Sequence, residues 1–498
     1  MYLRKAWLPV LCFLLCLTAC KKWDEHTAVE NQDLTKTLLD EVSSRPALSK
    51  FTEYLKKTGL DKELASSKTY TVWAPTNDAL QSLDAGTVAD TAKLRRFIAN
   101  HIAYQSYFGR NAQTGIRVSV LNGKRVLFTG AKFDDANVTE ADKYVGNGVL
   151  HVIDKMAPAY LNAWEWVDST KTAYQQSAFI ASLTRKVFDP TNAVVDSISA
   201  LTGQPVYRPG TDSVLRNVYN TDVYDLQNEE KQYTYFILTN AAFTTELTKL
   251  NPYFKTSSTD STRNLSSYTV AKDLVVEGVY TMAQLPAVLT SKFGVKIPID
   301  KSKILDTRRL SNGIAYIISG INFDVKDKIQ PVVVQGENYR GFFDATGIAV
   351  TPRQNNVSAV FIRSRITPAG VPFTDMFAYG HGIVGLNAQY TVRNLPSVKY
   401  KVYWVVPNDT LNVNGAIVPA AFTQRLAMGV RGANLLPTVA PLAPLNVAPR
   451  NYSEVYLGDY TQSAYGTLDM FLTNATSATG EPGGNRMNLD YIRLVPDL

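Results

Sequence analysis

The sequence predicts a multidomain chain, α+β over its first two thirds and all-β, antiparallel, over its last third. Three observations predict this. Apolar residues recur at helical spacing as far as Gln330; beyond it short alternating runs are punctuated by Pro, Gly and Asn. One pattern occurs twice, first as Tyr70-Thr71-Val72-Trp73-Ala74-Pro75-Thr76-Asn77 and again as Tyr233-Thr234-Tyr235-Phe236-Ile237-Leu238-Thr239-Asn240. Each copy is followed far downstream by Asn-Gly and an apolar run, at Asn147-Gly148 and Asn312-Gly313. The length, 498 residues, implies roughly two to four domains.

The first nineteen residues read as a secretory signal. Arg4 and Lys5 precede an apolar run from Ala6 to Leu17, broken by Pro9. That run is short of the about 20 apolar residues a spanning helix needs. All three cysteines, Cys12, Cys16 and Cys20, fall here. Leu17-Thr18-Ala19-Cys20 resembles a bacterial lipobox, which implies a lipid on Cys20 and a tether over residues 20–30. Cys12 and Cys16 would leave with the signal, so the mature chain would hold no disulfide and no cysteine metal site. Asp24-Glu25 just after the cysteine resembles the surface-export signal of Bacteroidetes lipoproteins, placing the protein on the outer membrane, facing outward.

The net charge of +7 falls to +5 without Arg4 and Lys5, and no dense basic run is present, so nucleic acid is not an expected partner. No later apolar segment is long enough to cross a membrane as a helix. The 27 tyrosines suit a β-rich chain and a sugar-binding surface alike.

Residues 31–160 form the first expected domain. Leu34, Leu38, Leu39 and Val42, then Leu48, Phe51, Tyr54 and Leu55, are spaced as helices, and Gly59 marks a C-terminus. Pro75 ends a short strand, and Thr76 or Asn77 can cap a helix. Leu94, Phe97, Ile98 and Ile102 mark another helix, and Asn122-Gly123 a hairpin turn. "YTVWAPTNDAL", "LRRFIANHIAY" and "NGVLHVIDKMAP" resemble the signature segments of the fasciclin (FAS1) domain. The resemblance implies a small β-sandwich packed with short helices. His101 and His151 sit among apolar neighbours and read as structural histidines, without a nearby nucleophile.

Residues 161–330 resemble a diverged second FAS1 domain, joined without a Gly/Ser spacer and so closely packed on the first. Leu238 replaces the proline and Tyr316 the histidine. Ala173 to Val187 reads as a helix, and Thr191 to Asn228 as an insertion with hairpin pieces.

Residues 331–498 read as an antiparallel sandwich. Val398, Tyr400, Val402, Trp404 and Val406 form one apolar strand face, so Trp404 is expected in the core. The opening "VVVQGENY" and closing "NLDYIRL" resemble galactose-binding-like jelly rolls, including carbohydrate-binding modules. That resemblance implies adjacent first and last strands and a structural calcium at Glu337 and Asp490, which would be two of the several oxygens calcium needs. Tyr379, His381, Tyr403, Tyr456, Tyr460 and Tyr465 are the candidate sugar-contacting residues, because a sugar ring stacks on an exposed aromatic.

No phosphate-cradling loop, zinc-protease motif or nucleophile elbow is present, and the expected role is not enzymatic. The expected function is an outer-membrane surface lipoprotein that binds polysaccharide, acts as an accessory subunit of a SusC/SusD-type nutrient importer, or does both. The alternative is an adhesion or scaffold protein acting through FAS1 contacts.

Overall fold

The computed structural model describes residues 32–66, 68–409, 412–413, 416–417, 421–429, 442–474 and 486–498; the expected signal, Cys20 and the tether lie outside them. The first region is built on two wholly buried strands, Tyr70–Pro75 and Gly148–Ile153, paired in parallel with Trp73 opposite His151. Both are mostly apolar along their length because both faces are covered, and the polar exceptions, Thr71 and His151, are hydrogen-bonded. Ile102–Tyr104 closes one side, and Ala136–Val145, Lys132–Phe133, Arg125–Phe128 and Ile116–Ser119 extend the other into a seven-stranded sheet. Helices Leu38–Ser43, Ser49–Thr58 and Thr91–Ala99 place Leu38, Phe51, Leu55, Leu94 and Ile98 against Val72 and Leu150. Gly59 ends its helix with a left-handed φ of 71°. The helix expected after Pro75 is a single 3-10 turn, Ala79–Ser82, started by Thr76, whose hydroxyl oxygen accepts the Ala79 N–H. Asn77 turns back instead, accepting the Lys50 N–H and donating to the Pro46 carbonyl.

The second region repeats the central pair. Tyr233–Leu238 and Gly313–Ile318 are buried and parallel, with Phe236 opposite Tyr316. Val275–Glu277 and Ile304–Leu310 flank them. The helix expected to Val187 stops at Ser182, because Thr184–Phe188, rich in β-formers, pairs with Ser213–Asn217. Val195–Ile198 and Pro205–Tyr207 continue this arm as a second hairpin. The two regions meet through charges. Lys124, 4% exposed, donates to Glu165 and Glu229 at 2.6 and 2.9 Å, and Arg309 pairs with Asp134 and Asp135.

The third region follows a fully buried ion pair, Lys328 to Asp273 at 2.7 Å. A four-stranded sheet of Val332–Gln335, Tyr491–Pro496, Lys399–Val405 and Val455–Thr461 packs on a six-stranded one centred on Asn387–Leu395 and Gly466–Asn474. The core between them holds Tyr390, Tyr400, Trp404, Leu426, Met470 and Leu494. The first and last strands are antiparallel neighbours, Val332 opposite Leu494. A third sheet joins Val360–Ile366, Pro372–Ala378 and Met487–Leu489.

Candidate functional site

A cleft of about 770 Å³ opens where the first and last strands of the third region meet the Val360–Ile366/Pro372–Ala378 hairpin. Gln335, Glu337, Phe373, Tyr452, Asp490 and Tyr491 line it. Gly336 makes this meeting possible. A Cβ there would stand 1.9 Å from the Leu489 carbonyl oxygen, and the Gly336 N–H donates to the Asp490 carbonyl. Glu337 and Asp490 are thereby brought to one wall. Glu337 Oε2 is buried without a hydrogen-bond partner. The Asp490 carboxyl is pushed up to about 6, by burial first and then by Asp375 and Glu337.

The aromatic walls are held by their hydroxyls. Tyr452 donates to Asp409 at 2.6 Å, and Asp409 also pairs with Arg365. Arg365 and Arg363 both grip Asp375. Tyr491 donates to Glu454 at 3.1 Å, which Arg493 pairs with in turn. Phe373 meets Tyr452 edge-on, centroids 6.1 Å apart. Fixed rings beside hydrogen-bond acceptors suit a polyhydroxylated ligand, whose O–H groups donate and whose C–H faces stack.

The same wall bears on calcium. An orphaned carboxylate oxygen and a carboxyl resisting ionisation both mark a place short of positive charge. Yet no group of three or more His, Cys, Asp or Glu gathers to hold a metal among the described residues. Glu337 and Asp490 therefore fit a cation only as a minority of its six to eight or so oxygens.

The other candidate residues are dispersed. Tyr403 and Tyr456 are cross-strand partners on the outer face of the four-stranded sheet, centroids 5.4 Å apart, with the Arg493 guanidinium over Tyr403. Tyr379 stacks on Phe377 beyond the hairpin. His381 is 5% exposed, its Nδ1 accepting the Ile383 N–H. Tyr460 packs on the sandwich core. Tyr465 packs on Phe254, and its N–H donates to the Lys255 carbonyl, so it joins the second and third regions. The sequence reading missed Phe373 and Tyr452, which lie far apart in the chain. Gln335 and Tyr491 stood inside the two quoted segments unremarked.

In the first region the signature residues converge on one buried cluster. Trp73 stacks on Phe133 and His151, with centroids 4.3 and 5.6 Å away. His151 Nε2–H donates to the Tyr107 carbonyl at 2.9 Å, and its Nδ1 accepts the Asp142 N–H. Residues 46–157 match the family described as the Fasciclin domain. A curated relative, Protein sll1483 of Synechocystis sp., is 30% identical over 145 residues, 26% of this chain and 80% of its own length. The chain belongs to the fasciclin-domain family. Among solved structures it is similar to a FAS1 domain pair of the insect cell adhesion molecule fasciclin I, with 17% identity, 57% of this chain and 99% of that one covered, and a TM-score of 0.22. A family 35 carbohydrate-binding module from Clostridium thermocellum shares 13% identity, over 33% of this chain and 97% of its own, with a TM-score of 0.20.

Within the fasciclin domain both histidines hold structure. His101 is fully buried, Nδ1–H donating to the Phe97 carbonyl and Nε2 accepting the Ala157 N–H. Burial pushes it down to about 4, so it stays neutral at physiological pH.

Proposed function

We propose that this chain is a surface lipoprotein, anchored through Cys20, in which two fasciclin domains carry a jelly-roll module that binds glycan in the Tyr452–Tyr491–Asp490 cleft. The carrying observation is that cleft: three fixed aromatic rings around two carboxylates, one with an unpartnered buried oxygen. The second fasciclin domain is supported by the repeated parallel pair and its register, Tyr233 opposite Gly313 as Tyr70 is opposite Gly148. A structural calcium on Glu337 and Asp490, drawing its other oxygens from main chain and water, belongs to the same reading, as does an accessory role beside a SusC/SusD-type importer.

The test is a polysaccharide screen on the chain beginning after Cys20, followed by calorimetry on Tyr452→Ala, Tyr491→Ala and Asp490→Asn. Each tyrosine change is expected to weaken binding by about tenfold, the worth of one lost stacking face. Binding lost with Tyr403→Ala and Tyr456→Ala instead would move the site to the outer sheet face. Calcium should raise the melting temperature of the native chain and not that of Asp490→Asn.

One observation favours the adhesion reading. The arm from Thr184 to Asn217 exposes Phe188, Val195, Ile198, Leu201 and Leu215, with Leu201 97% exposed. No glycan in the screen, with an outer-membrane protein retained by the intact chain and lost on Leu201→Asp, would select it.

A further inference from the structure

The first and second regions enclose a cavity of about 710 Å³. Val126, Leu127, Tyr160, Leu310 and Ile314 give it an apolar wall. Most cations along it are matched by acids. Lys124 lies between Glu165 and Glu229, Arg125 meets Glu230, and Arg309 meets Asp134 and Asp135. Arg117 is different. A guanidinium has five N–H donors. Those of Arg117 reach only the main-chain carbonyls of Glu229 and Ser311, at 3.0 and 2.9 Å, and form no ion pair among the described residues. Glu229 bears on it electrostatically, but its Oε1 already takes Lys124 and the Ser311 hydroxyl, while its Oε2 has no partner. Burial holds the Arg117 pKa below its ordinary value, against the pull of Glu229 and with a smaller push from Arg125; with only two carbonyls on its five donors, its hydrogen-bonding capacity is left part-used.

We propose that this cavity is a binding site for an organic carboxylate, its carboxylate on Arg117 and its apolar body on the wall. The planar fork of a guanidinium matches a carboxylate with two parallel hydrogen bonds. The volume lies within the roughly 300–1,000 Å³ of small-molecule sites. Leu127 stands directly across the hairpin from Arg117 and is 45% exposed, so the first apolar contact adjoins the charge. Inorganic phosphate would satisfy the charge and leave the wall wet.

Calorimetry on the whole chain at low ionic strength, with benzoate, benzamide and inorganic phosphate as probes, tests this. Benzoate is expected to bind more tightly than benzamide by about tenfold or more, the worth of a charge-assisted pair, and more tightly than phosphate. Arg117→Gln should lose that advantage. Because Arg117 also ties two main-chain segments, a second variant is needed. Leu127→Glu sets a carboxylate opposite Arg117, a cross-strand pair that should keep or raise the melting temperature while removing benzoate binding. The proposal is overturned if benzoate gives no heat, if benzamide or phosphate binds as well, or if Leu127→Glu binds benzoate like the native chain.

Discussion

In the first region His151 lies stacked on Trp73 and its Nε2–H reaches the Tyr107 carbonyl; in the second, Tyr316 lies stacked on Phe236 and its hydroxyl reaches the Tyr280 carbonyl at 2.8 Å. The surroundings match as closely. Thr71 and Thr234 each donate a hydroxyl to a carbonyl, of Gln105 and Gly278, and accept an N–H, from Tyr107 and Tyr280. Asn147 and Asn312 each accept an N–H at a helix start, from Leu38 and Ala163. What is held constant is the hydrogen-bond connection, not the residue. A histidine and a tyrosine are interchangeable here because each offers a flat ring and one donor at its tip.

The glycine of each Asn-Gly pair is where a substitution costs each region most. Gly148 and Gly313 have φ of 153° and 152°, and a Cβ would stand 2.0 and 1.9 Å from the carbonyl oxygens of Tyr70 and Tyr233. Neither strand can yield, since both are buried and paired on two sides. Gly148→Ala and Gly313→Ala should each destabilise their region by more than about 4 kcal/mol, in the range reserved for broken cores. Urea denaturation followed by circular dichroism measures both. A tolerated Gly313→Ala would end the equivalence of the two regions.

The two regions also differ in what titrates: the first holds two buried histidines, His101 and His151, and the second has a phenol where His151 stands. Burial pushes His101 down to about 4 in the folded chain, against near 6.5 unfolded, so the unfolded state binds the extra proton. Its contribution is complete above pH 6.5 and is lost as pH falls through 4, about 3 kcal/mol in all. His151 is shifted down too, by burial, and acts in the same direction. Tyr316 is shifted up by burial, so its contribution is complete below the unfolded tyrosine pKa near 10 and fades above it. The first region should therefore fail first in acid, and the position of Tyr316 should matter only in alkali. Protease cleavage mapped along the chain at pH 4.5, 7 and 10.5 separates the two. Equal acid sensitivity in both regions, or no change in acid sensitivity for His101→Gln, would contradict this assignment.

Much of this was legible in the sequence. "YTVWAPTNDAL" and "NGVLHVIDKMAP" carry local requirements, a strand stop and a glycine-only backbone, so they mark the first region wherever they occur. Trp404 was legible because strand alternation places it on the face shared with Val402. The helix end at Ser182 was not, because the pairing of Thr184 with Asn217 lies across a long insertion. Nor was the cleft. Phe373 and Tyr491 come from two different sheets and Tyr452 from the loop before Val455–Thr461, and nothing in one strand's alternation reports a neighbour in another sheet. The contact of Tyr465 with Phe254 was hidden for the same reason, since an aromatic beside a glycine looks alike whether it faces solvent or a second region.

The smallest effects decide whether the second region tolerates the side chains of the first. Leu238 stands where Pro75 stands, at the end of the parallel strand. Its N–H, which a proline lacks, donates to Gln176 Oε1 at 3.0 Å, while the Gln176 amide donates to the Phe236 carbonyl and Tyr235 hydroxyl. Gln176 is wholly buried, so Leu238→Pro leaves its oxygen unpaired and should cost about 1–3 kcal/mol. Tyr316→Phe removes only the hydroxyl, stranding the Tyr280 carbonyl, and should cost about 1 kcal/mol. Tyr316→His is the more telling substitution. If the connection is what the fold requires, a ring nitrogen at the same position should recover most of the loss seen in Tyr316→Phe, measured by urea denaturation at pH 7. If histidine is worse than phenylalanine, the second region has repacked around a phenol, and the match between the two regions is one of backbone alone.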